Sequence, residues 1–190
     1  MLVAQARRSA ELFTGAAIPD GTLESVEQAV RARLENIVLI GMPGCGKSTV
    51  AKALGAALGR EIAECDAWIE AQAGCTIPEI FARGGEAEFR RLETEALREL
   101  GKRSGVILST GGGCVTRAEN YPLLHQNGTI FWLLRDLSSL PSKGRPLSQR
   151  ESAESMFARR EPLYARFADV KINNDRPLAD TVEEIRRYLG

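Results

Sequence analysis

The segment that most constrains the fold is Gly41-Met-Pro-Gly-Cys-Gly-Lys47-Ser48, which fits the pattern G-x-x-x-x-G-K-[ST]. The apolar run NIVLI precedes it, and the helix-forming run TVAKALGAAL follows it. Glycines let backbone N–H groups turn toward phosphate oxygens, and the N-terminus of the following helix adds its positive end. The pattern therefore predicts a strand, a phosphate-binding loop and a helix.

Each polar member of this loop has an expected task. Lys47 is predicted to place a compact cation on the β- and γ-phosphates, and Ser48 to offer its hydroxyl to Mg²⁺. The predicted nucleotide-binding residues are Gly41, Pro43, Gly44, Cys45, Gly46, Lys47, Ser48 and Thr49.

Short apolar runs alternate with amphipathic helices from residue 35 onward. The runs are Ile37–Ile40, Ile62–Cys65, Val106–Ser109, Thr129–Leu134 and Val170–Ile172, and helical stretches include Lys47–Leu58, Glu86–Leu100 and Leu178–Leu189. Runs without polar alternation are typical of strands covered on both faces. We therefore expect an α/β domain over residues 35–190, with a parallel sheet between two layers of helices. Residues 1–34 are expected to form a helical N-terminal extension of two short helices.

The composition excludes several classes of protein. Lys plus Arg and Asp plus Glu each number 25, so the formal charge is zero and broad attraction to nucleic acid or an anionic membrane is not expected. Four cysteines without a CxxC pair and a single histidine argue against a zinc site or a disulfide scaffold. The start MLVAQARR is too short before its arginines for a signal peptide, and no stretch reaches the apolar length of a membrane span. We expect a cytoplasmic protein.

Further polar motifs follow the ends of the predicted strands, where ligands bind in open parallel sheets. They are Glu64-Cys65-Asp66, Thr110-Gly111-Gly112-Gly113 and Lys143-Gly144-Arg145-Pro146-Leu147, together with GGEAEFRRLE at 84–93 and RREPLY at 159–164. The chain lacks an NKxD base-reading motif, which argues against a GTPase switch. A small chain with a phosphate-binding loop, and with its other polar motifs near strand ends, indicates a kinase that acts on a small molecule.

In this order, the motifs GMPGCGKST, FRRLE, STGGGCV, GRPL and RREPLY resemble those of shikimate kinase, over residues 36–190. The resemblance implies a P-loop kinase fold of the nucleoside-monophosphate-kinase type, with a five-stranded parallel sheet and a mobile lid. It implies phosphorylation of the 3-hydroxyl of shikimate with ATP and Mg²⁺, which yields shikimate 3-phosphate and ADP on the chorismate route to aromatic amino acids.

The resemblance also implies roles for individual residues. Asp66 would hold shikimate hydroxyls near the nucleophilic oxygen, Arg90 and Arg160 would pair with the carboxylate, and Gly112 would donate a backbone N–H. Arg145 would be a lid arginine that reaches the γ-phosphoryl group and binds ATP. The implied catalytic residues are Lys47, Asp66 and Arg145, and the implied metal residues are Ser48 and, through water, Glu64. Guanidinium forks suit a planar carboxylate independently of the resemblance.

Plainer interpretations of the same residues stay open at this point. Arg90 lies four residues after Glu86 and three before Glu93, so it could form a surface ion pair on a helix. Asp66 could only cap the next helix, and Glu93 could orient Arg90 or lie on the surface.

The chain departs from the family pattern in three respects. Glu64 stands where the family usually has Asp, and the segment 136–149 is shorter than the usual lid and lacks the arginine that often stacks on adenine. Residues 1–34 resemble the closing helix of shikimate dehydrogenases, which implies a physical or genetic link to that enzyme. A monomer is the expected state. The alternatives are a kinase of the same fold that phosphorylates gluconate or a nucleotide, and a binding module that has lost turnover.

Overall fold

The computed structural model describes residues 2–140 and 152–189, and the chain divides into two compact units, Met1–Leu34 and Glu35–Gly190. The first unit consists of helices α1 (Leu2–Thr14) and α2 (Asp20–Leu34). Two helices were expected in this region, and two are present.

The second unit alternates strands and helices along the chain. Its strands are β1 (Asn36–Ile40), β2 (Ile62–Glu64), β3 (Ile107–Ser109), β4 (Gly128–Leu134) and β5 (Val170–Asn173). Its helices are α3 (Lys47–Leu58), α4 (Cys65–Ala73), α5 (Ile77–Leu100), α6 (Asn120–His125), α7 (Ala153–Phe167) and α8 (Leu178–Leu189), with single 3₁₀ turns at Cys114–Thr116 and Leu137–Ser139. The five strands form one parallel sheet in the order β2-β3-β1-β4-β5. The predicted α/β fold with a five-stranded parallel sheet is confirmed.

The central strand β1 shows why these runs carry no polar alternation. All five of its residues are buried, and side chains of successive residues point to opposite faces of a sheet. Helices therefore cover both faces. Helix α3 packs on β1 and β3 and also contacts α8, whereas α6 and α7 pack on β4.

The region between β2 and β3 differs from the sequence expectation. Cys65, expected as the last residue of the second strand, instead begins α4. The predicted helix Glu86–Leu100 is the second part of the longer α5, which bends at Gly85, where φ is +67°. Helix α5 begins after Thr76, whose backbone N–H donates to the carboxylate of Glu79 at 2.8 Å and so satisfies a group that the first turn leaves unpaired.

The described residues of the second unit form two hydrophobic clusters. The larger one fills the space around the sheet and includes Leu39, Leu108 and Phe131. A smaller one joins α4 to α5 through Ile69, Ile80, Phe89 and Ala96. The bend at Gly85 lies between Ile80 and Phe89, so both parts of α5 contribute to the smaller cluster.

Candidate active site

The loop between β1 and α3 has the conformation that its glycines were expected to allow. Gly46 lies directly before α3 with φ of +102°, in the left-handed region that favours glycine. A Cβ atom on Gly41 would lie 2.6 Å from the backbone oxygen of Leu133, so the loop approaches β4 too closely for a side chain there. The first N–H groups of α3 are therefore available at the loop, which is the arrangement that binds phosphate.

The Lys47 side chain lies along this loop. It is only 8% exposed, and its ammonium group donates to the carbonyls of Gly41 at 2.9 Å and Met42 at 3.0 Å. A buried ammonium group in such a loop is a suitable partner for phosphate oxygens.

Asn174 is a part of the loop's support that sequence reasoning missed. It directly follows β5, its amide donates to the carbonyl of Cys45 at 2.6 Å, and its own oxygen accepts from Thr181 at 3.0 Å. In the sequence, the signal that could have marked Asn174 is its position as a polar residue immediately after a predicted strand. Its partner lies 129 positions away in the chain, which no local pattern reveals.

Three oxygen-bearing side chains from three elements meet beside the loop. The Ser48 hydroxyl donates to Glu64 at 3.1 Å and lies 3.5 Å from the hydroxyl of Ser109. Hydroxyl and carboxylate oxygens are the donors that Mg²⁺ prefers, and this ion usually takes only one or two of them from the protein when phosphates supply others. Ser48 and Glu64 therefore fit a magnesium site shared with a nucleotide.

A cavity of about 540 Å³ extends from the phosphate loop toward α4, α5 and α7. Lys47, Ser48 and Glu64 line one part of it, and Asp66, Arg90, Glu93, Gly111, Gly112, Gly113 and Arg160 line another. Asp66 lies in the first turn of α4 and is exposed. Most of the described residues predicted for the nucleotide therefore share one cavity with those predicted for the acceptor, whereas Gly41 and Cys45 do not line it.

Arg90 is 6% exposed and is held by two carboxylates of its own helix. Its Nη1 atom donates to Glu93 at 2.6 Å, and its Nη2 atom donates to Glu86 at 3.1 Å. Burial alone would lower the pKa of Arg90, but the two carboxylates outweigh this effect and raise it. The guanidinium group of Arg90 therefore lines the cavity as a permanent positive charge.

Arg160, on α7, also lines the cavity and is 2% exposed. Its Nη1 atom donates to the carbonyl of Gly112 at 3.0 Å, and the hydroxyl of Tyr164 donates to the same carbonyl. The Nε atom of Arg160 finds no hydrogen-bond partner within residues 2–140 and 152–189. Tyr164 belongs to the RREPLY motif, but no role is predicted for it from the sequence.

The three glycines after β3 each make room for a different side chain. A Cβ atom on Gly111 would collide with Glu93, and one on Gly113 would collide with the guanidinium group of Arg90. A Cβ atom on Gly112 would lie 2.6 Å from the ring of Pro43, in the phosphate loop. This loop therefore fits closely against both parts of the cavity.

Arg145 and most of the predicted lid lie outside the described residues. No helix within residues 2–140 and 152–189 combines the length and the apolar character that a membrane span requires.

The family model for shikimate kinase matches residues 43–189. The chain belongs to the shikimate kinase family. Shikimate kinase of Parasynechococcus marenigrum is 42% identical over 84% of this chain and 87% of its own length, and that of Chromohalobacter salexigens is 40% identical over 81% and 92%. The structure of Acinetobacter baumannii shikimate kinase in complex with shikimate superimposes with a TM-score of 0.78 at 35% identity, covering 85% of this chain and 96% of that one. The Aquifex aeolicus shikimate kinase structure gives a TM-score of 0.72 at 33% identity, over 81% and 95%.

Membership of the shikimate kinase family confirms the predicted family, the P-loop kinase fold and an enzyme that transfers a phosphoryl group from ATP. It decides against a gluconate- or nucleotide-phosphorylating enzyme. The resemblance of residues 1–34 to shikimate dehydrogenase stays a prediction.

Proposed function

We propose that this shikimate kinase transfers the γ-phosphoryl group of ATP to the 3-hydroxyl of shikimate within the cavity described above. The observation that carries the proposal is a pair of buried guanidinium groups, Arg90 and Arg160, in the same cavity as the exposed carboxylate of Asp66 and the phosphate loop. Guanidinium groups recognise a planar carboxylate, and a carboxylate accepts hydrogen bonds from ring hydroxyls. An acceptor that carries both groups fits this cavity.

The donor side of the proposal uses the loop Gly41–Ser48 with Thr49. Backbone N–H groups at the start of α3 and the Lys47 ammonium would bind the phosphates of ATP. Ser48, and Glu64 through water, would hold Mg²⁺, which when bound neutralises charge on the phosphate oxygens. Arg145 would approach the γ-phosphoryl group from the lid.

The acceptor side assigns the carboxylate of shikimate to Arg90 and Arg160 and its hydroxyls to Asp66, with the Gly112 N–H as a further donor. The 3-hydroxyl oxygen would attack the γ-phosphorus while the bond to the β-phosphate oxygen breaks and ADP leaves. Asp66 would accept the hydroxyl proton. Because phosphoryl transfer depends mainly on positioning and on charge neutralisation, most of the rate enhancement would come from Lys47, Arg145 and the orientation of the acceptor.

Release of ADP from ATP and Mg²⁺ tests the reaction, with shikimate, gluconate or a nucleoside monophosphate as the acceptor. We expect turnover with shikimate only. Arg90→Ala should lower kcat/KM for shikimate by about 100-fold or more, because a buried charged partner of the carboxylate is lost. The matched control is Arg91→Ala, the next residue of α5, which is exposed and pairs with Glu88 and Glu95. Measurable ATP binding without turnover would instead support the binding module.

A single-turnover experiment on Asp66→Asn tests the role of Asp66 as proton acceptor. We expect slower phosphoryl transfer at saturating shikimate as well as weaker binding. Weaker binding with transfer at the full rate would restrict Asp66 to binding.

We also infer that residues 35–190 form the catalytic domain and that residues 1–34 are an extension of it. The family match lies within 35–190, as do all of the proposed site residues. The monomeric state, the cytoplasmic location and the link to shikimate dehydrogenase stay predictions from the sequence.

A further inference from the structure

Glu93 is a buried carboxylate at the centre of the proposed acceptor site, and the proposed mechanism gives it no task. It lies on α5, is fully buried, and lines the cavity. Its Oε2 atom accepts from Arg90 at 2.6 Å, but no donor within residues 2–140 and 152–189 reaches its Oε1 atom. A carboxylate oxygen without a partner is costly to bury when it is charged.

Oε1 faces the glycine loop and Asp66. It lies so close to Gly111 that a Cβ atom there would collide with it, and the same Cβ atom would lie 3.5 Å from Oδ1 of Asp66. The two carboxylates are therefore neighbours, close enough for their charges to interact. Burial raises the pKa of Glu93 and Arg90 lowers it, while Asp66 raises it further, and the net effect is a raised pKa.

The titratable groups that face Glu93 come from four elements. They are Arg90 on its own helix, Asp66 and Cys65 on α4, Cys114 in the 3₁₀ turn after the glycine loop, and Arg160 on α7. Burial raises the pKa of both thiols, so neither contributes a charge at neutral pH. Among residues 2–140 and 152–189, the charged groups that act on Glu93 are thus the two guanidinium groups and the carboxylate of Asp66.

Before an acceptor binds, the two guanidinium groups face the charges of Glu93 and Asp66, and Arg90 also pairs with the half-exposed Glu86. A substrate carboxylate between Arg90 and Arg160 adds a further negative charge close to the fully buried Glu93. The added charge favours the neutral form of the nearest buried carboxyl group. Asp66 is exposed, whereas Glu93 is fully buried and has one oxygen without a partner, so Glu93 is the group that should take the proton.

We propose that Glu93 binds a proton when the carboxylate of the acceptor enters the site, so that acceptor binding and proton uptake at Glu93 are coupled. Neutral Glu93 keeps one oxygen as the acceptor for Arg90 and gains a hydroxyl that faces Asp66. Glu93 then acts as a positioning residue, because its proton offsets the charge that the acceptor adds while it still holds Arg90. This inference rests on the proposed binding of shikimate between Arg90 and Arg160.

The coupling sets the direction of the pH dependence. Because the pKa of Glu93 rises further when the acceptor binds, protons are taken up at pH values between its free and bound pKa. Affinity for shikimate is then highest at low pH and falls as pH rises through the free-site pKa, by at most about tenfold per pH unit. It levels off above the bound-site pKa.

Calorimetric titration of the full chain with shikimate, in buffers that differ in ionisation enthalpy, counts the protons taken up. We expect an uptake approaching about one proton per shikimate at a pH above the ordinary titration range of a glutamate carboxyl, since the pKa of Glu93 is already raised before shikimate binds. Glu93→Gln has nearly the same shape and mimics the protonated form, so it should bind shikimate without proton uptake and with a flat pH profile. Glu86→Gln is the matched control, since it changes the other carboxylate that contacts Arg90 and should keep the uptake.

Two outcomes separate the inference from the proposed function. If shikimate does not bind at all, the proposed acceptor site fails. If it binds without proton uptake, or if the uptake persists in Glu93→Gln, only the coupling is overturned, and loss of the uptake in Asp66→Asn would assign the proton to Asp66. Should Glu93→Gln not fold, the infrared spectrum of the unmodified chain decides, because shikimate binding must then produce a protonated carboxyl band.

Discussion

The side-chain hydroxyl of Tyr164 and the guanidinium group of Arg160 both donate to one backbone oxygen, that of Gly112. The two donors lie one turn apart on α7, and Gly112 also packs against Pro43 of the phosphate loop. Helix α7 therefore holds the peptide unit between Gly112 and Gly113, which directly follows the peptide unit whose N–H is proposed to bind the acceptor.

Tyr164→Phe removes one of these two donors. Its ring stacks on Trp132 with centroids 5.5 Å apart, and phenylalanine retains this packing. Loss of one hydrogen bond of about 1 kcal/mol should raise the KM for shikimate about fivefold, with the KM for ATP nearly unchanged. Steady-state kinetics with each substrate varied in turn measures both. Tyr121→Phe, on α6, is the control, and an equal rise in both KM values would show a general loss of structure instead.

Gly113→Ala should impair the acceptor site more than the nucleotide site. The added methyl group would collide with the guanidinium group of Arg90, which must move away from its position between Glu86 and Glu93. We expect a lower melting temperature and a rise of about tenfold or more in the KM for shikimate. Gly21→Ala, where the added methyl group meets only open space, should change neither quantity. An unaltered KM for shikimate in Gly113→Ala would contradict the assignment of Arg90.

Glu64→Asp tests the departure from the family pattern beside the phosphate loop. Glu64 accepts from Ser48 at 3.1 Å, and shortening it by one methylene group moves the carboxylate away from Ser48. If Glu64 assists magnesium through water, the substitution should change the Mg²⁺ concentration at half-maximal activity by a few-fold and leave the KM for shikimate unchanged. Titration of Mg²⁺ at fixed ATP measures this, with Glu61→Asp, an exposed neighbour on the same segment, as control. An identical magnesium dependence would remove Glu64 from the proposed metal site.

Removal of residues 1–34 should leave the kinetic constants within about twofold of those of the full chain, because all proposed site residues lie in the second unit. The cut is placed before Glu35, since its carbonyl accepts from Arg60 at 2.9 Å and its carboxylate accepts from Thr129. The deletion also removes exposed apolar side chains, including Leu12 and Phe13. Kinetics and thermal unfolding of residues 35–190 provide the measurement, and a large loss of activity would show that the extension contributes to the site.

The sequence was sufficient to predict the elements whose signals are local. The phosphate loop lies between β1 and α3 as its pattern required, and the uninterrupted apolar runs are the strands of a parallel sheet. The predicted ends of the strands agree with the structure within one residue. Cys65 was expected to end the second strand, but it belongs to α4 because the helix begins directly after Glu64.

Arg90 shows why part of the site could not be predicted. Its spacing to Glu86 and Glu93 suggested a surface ion pair as the alternative to a site residue, and the structure contains both ion pairs around a buried guanidinium group. The two interpretations were therefore not alternatives. Local spacing determines which side chains of a helix can pair, but only the packing of α5 against the glycine loop determines which side faces the cavity.

Asn174 and Tyr164 were missed for a related reason. Each acts on a backbone carbonyl that is distant in sequence, Cys45 in one case and Gly112 in the other. Every residue has a backbone carbonyl, so a side chain that donates to one does not require a particular residue type as its partner. The sequence therefore contains no matching pair of residues that would indicate such a contact.

The small hydrophobic cluster between α4 and α5 stabilises the two helices that carry Asp66 and Arg90. Within the part of the chain that the structure describes, its buried members are Ile69, Ile80, Phe89 and Ala96, and the partly buried Trp68 packs against both this cluster and the large one. Sub-global unfolding of this part should therefore require less free energy than unfolding of the whole domain. In mild denaturant the enzyme should lose its response to shikimate while the phosphate loop still binds ATP, so that inactivation precedes the loss of the fold.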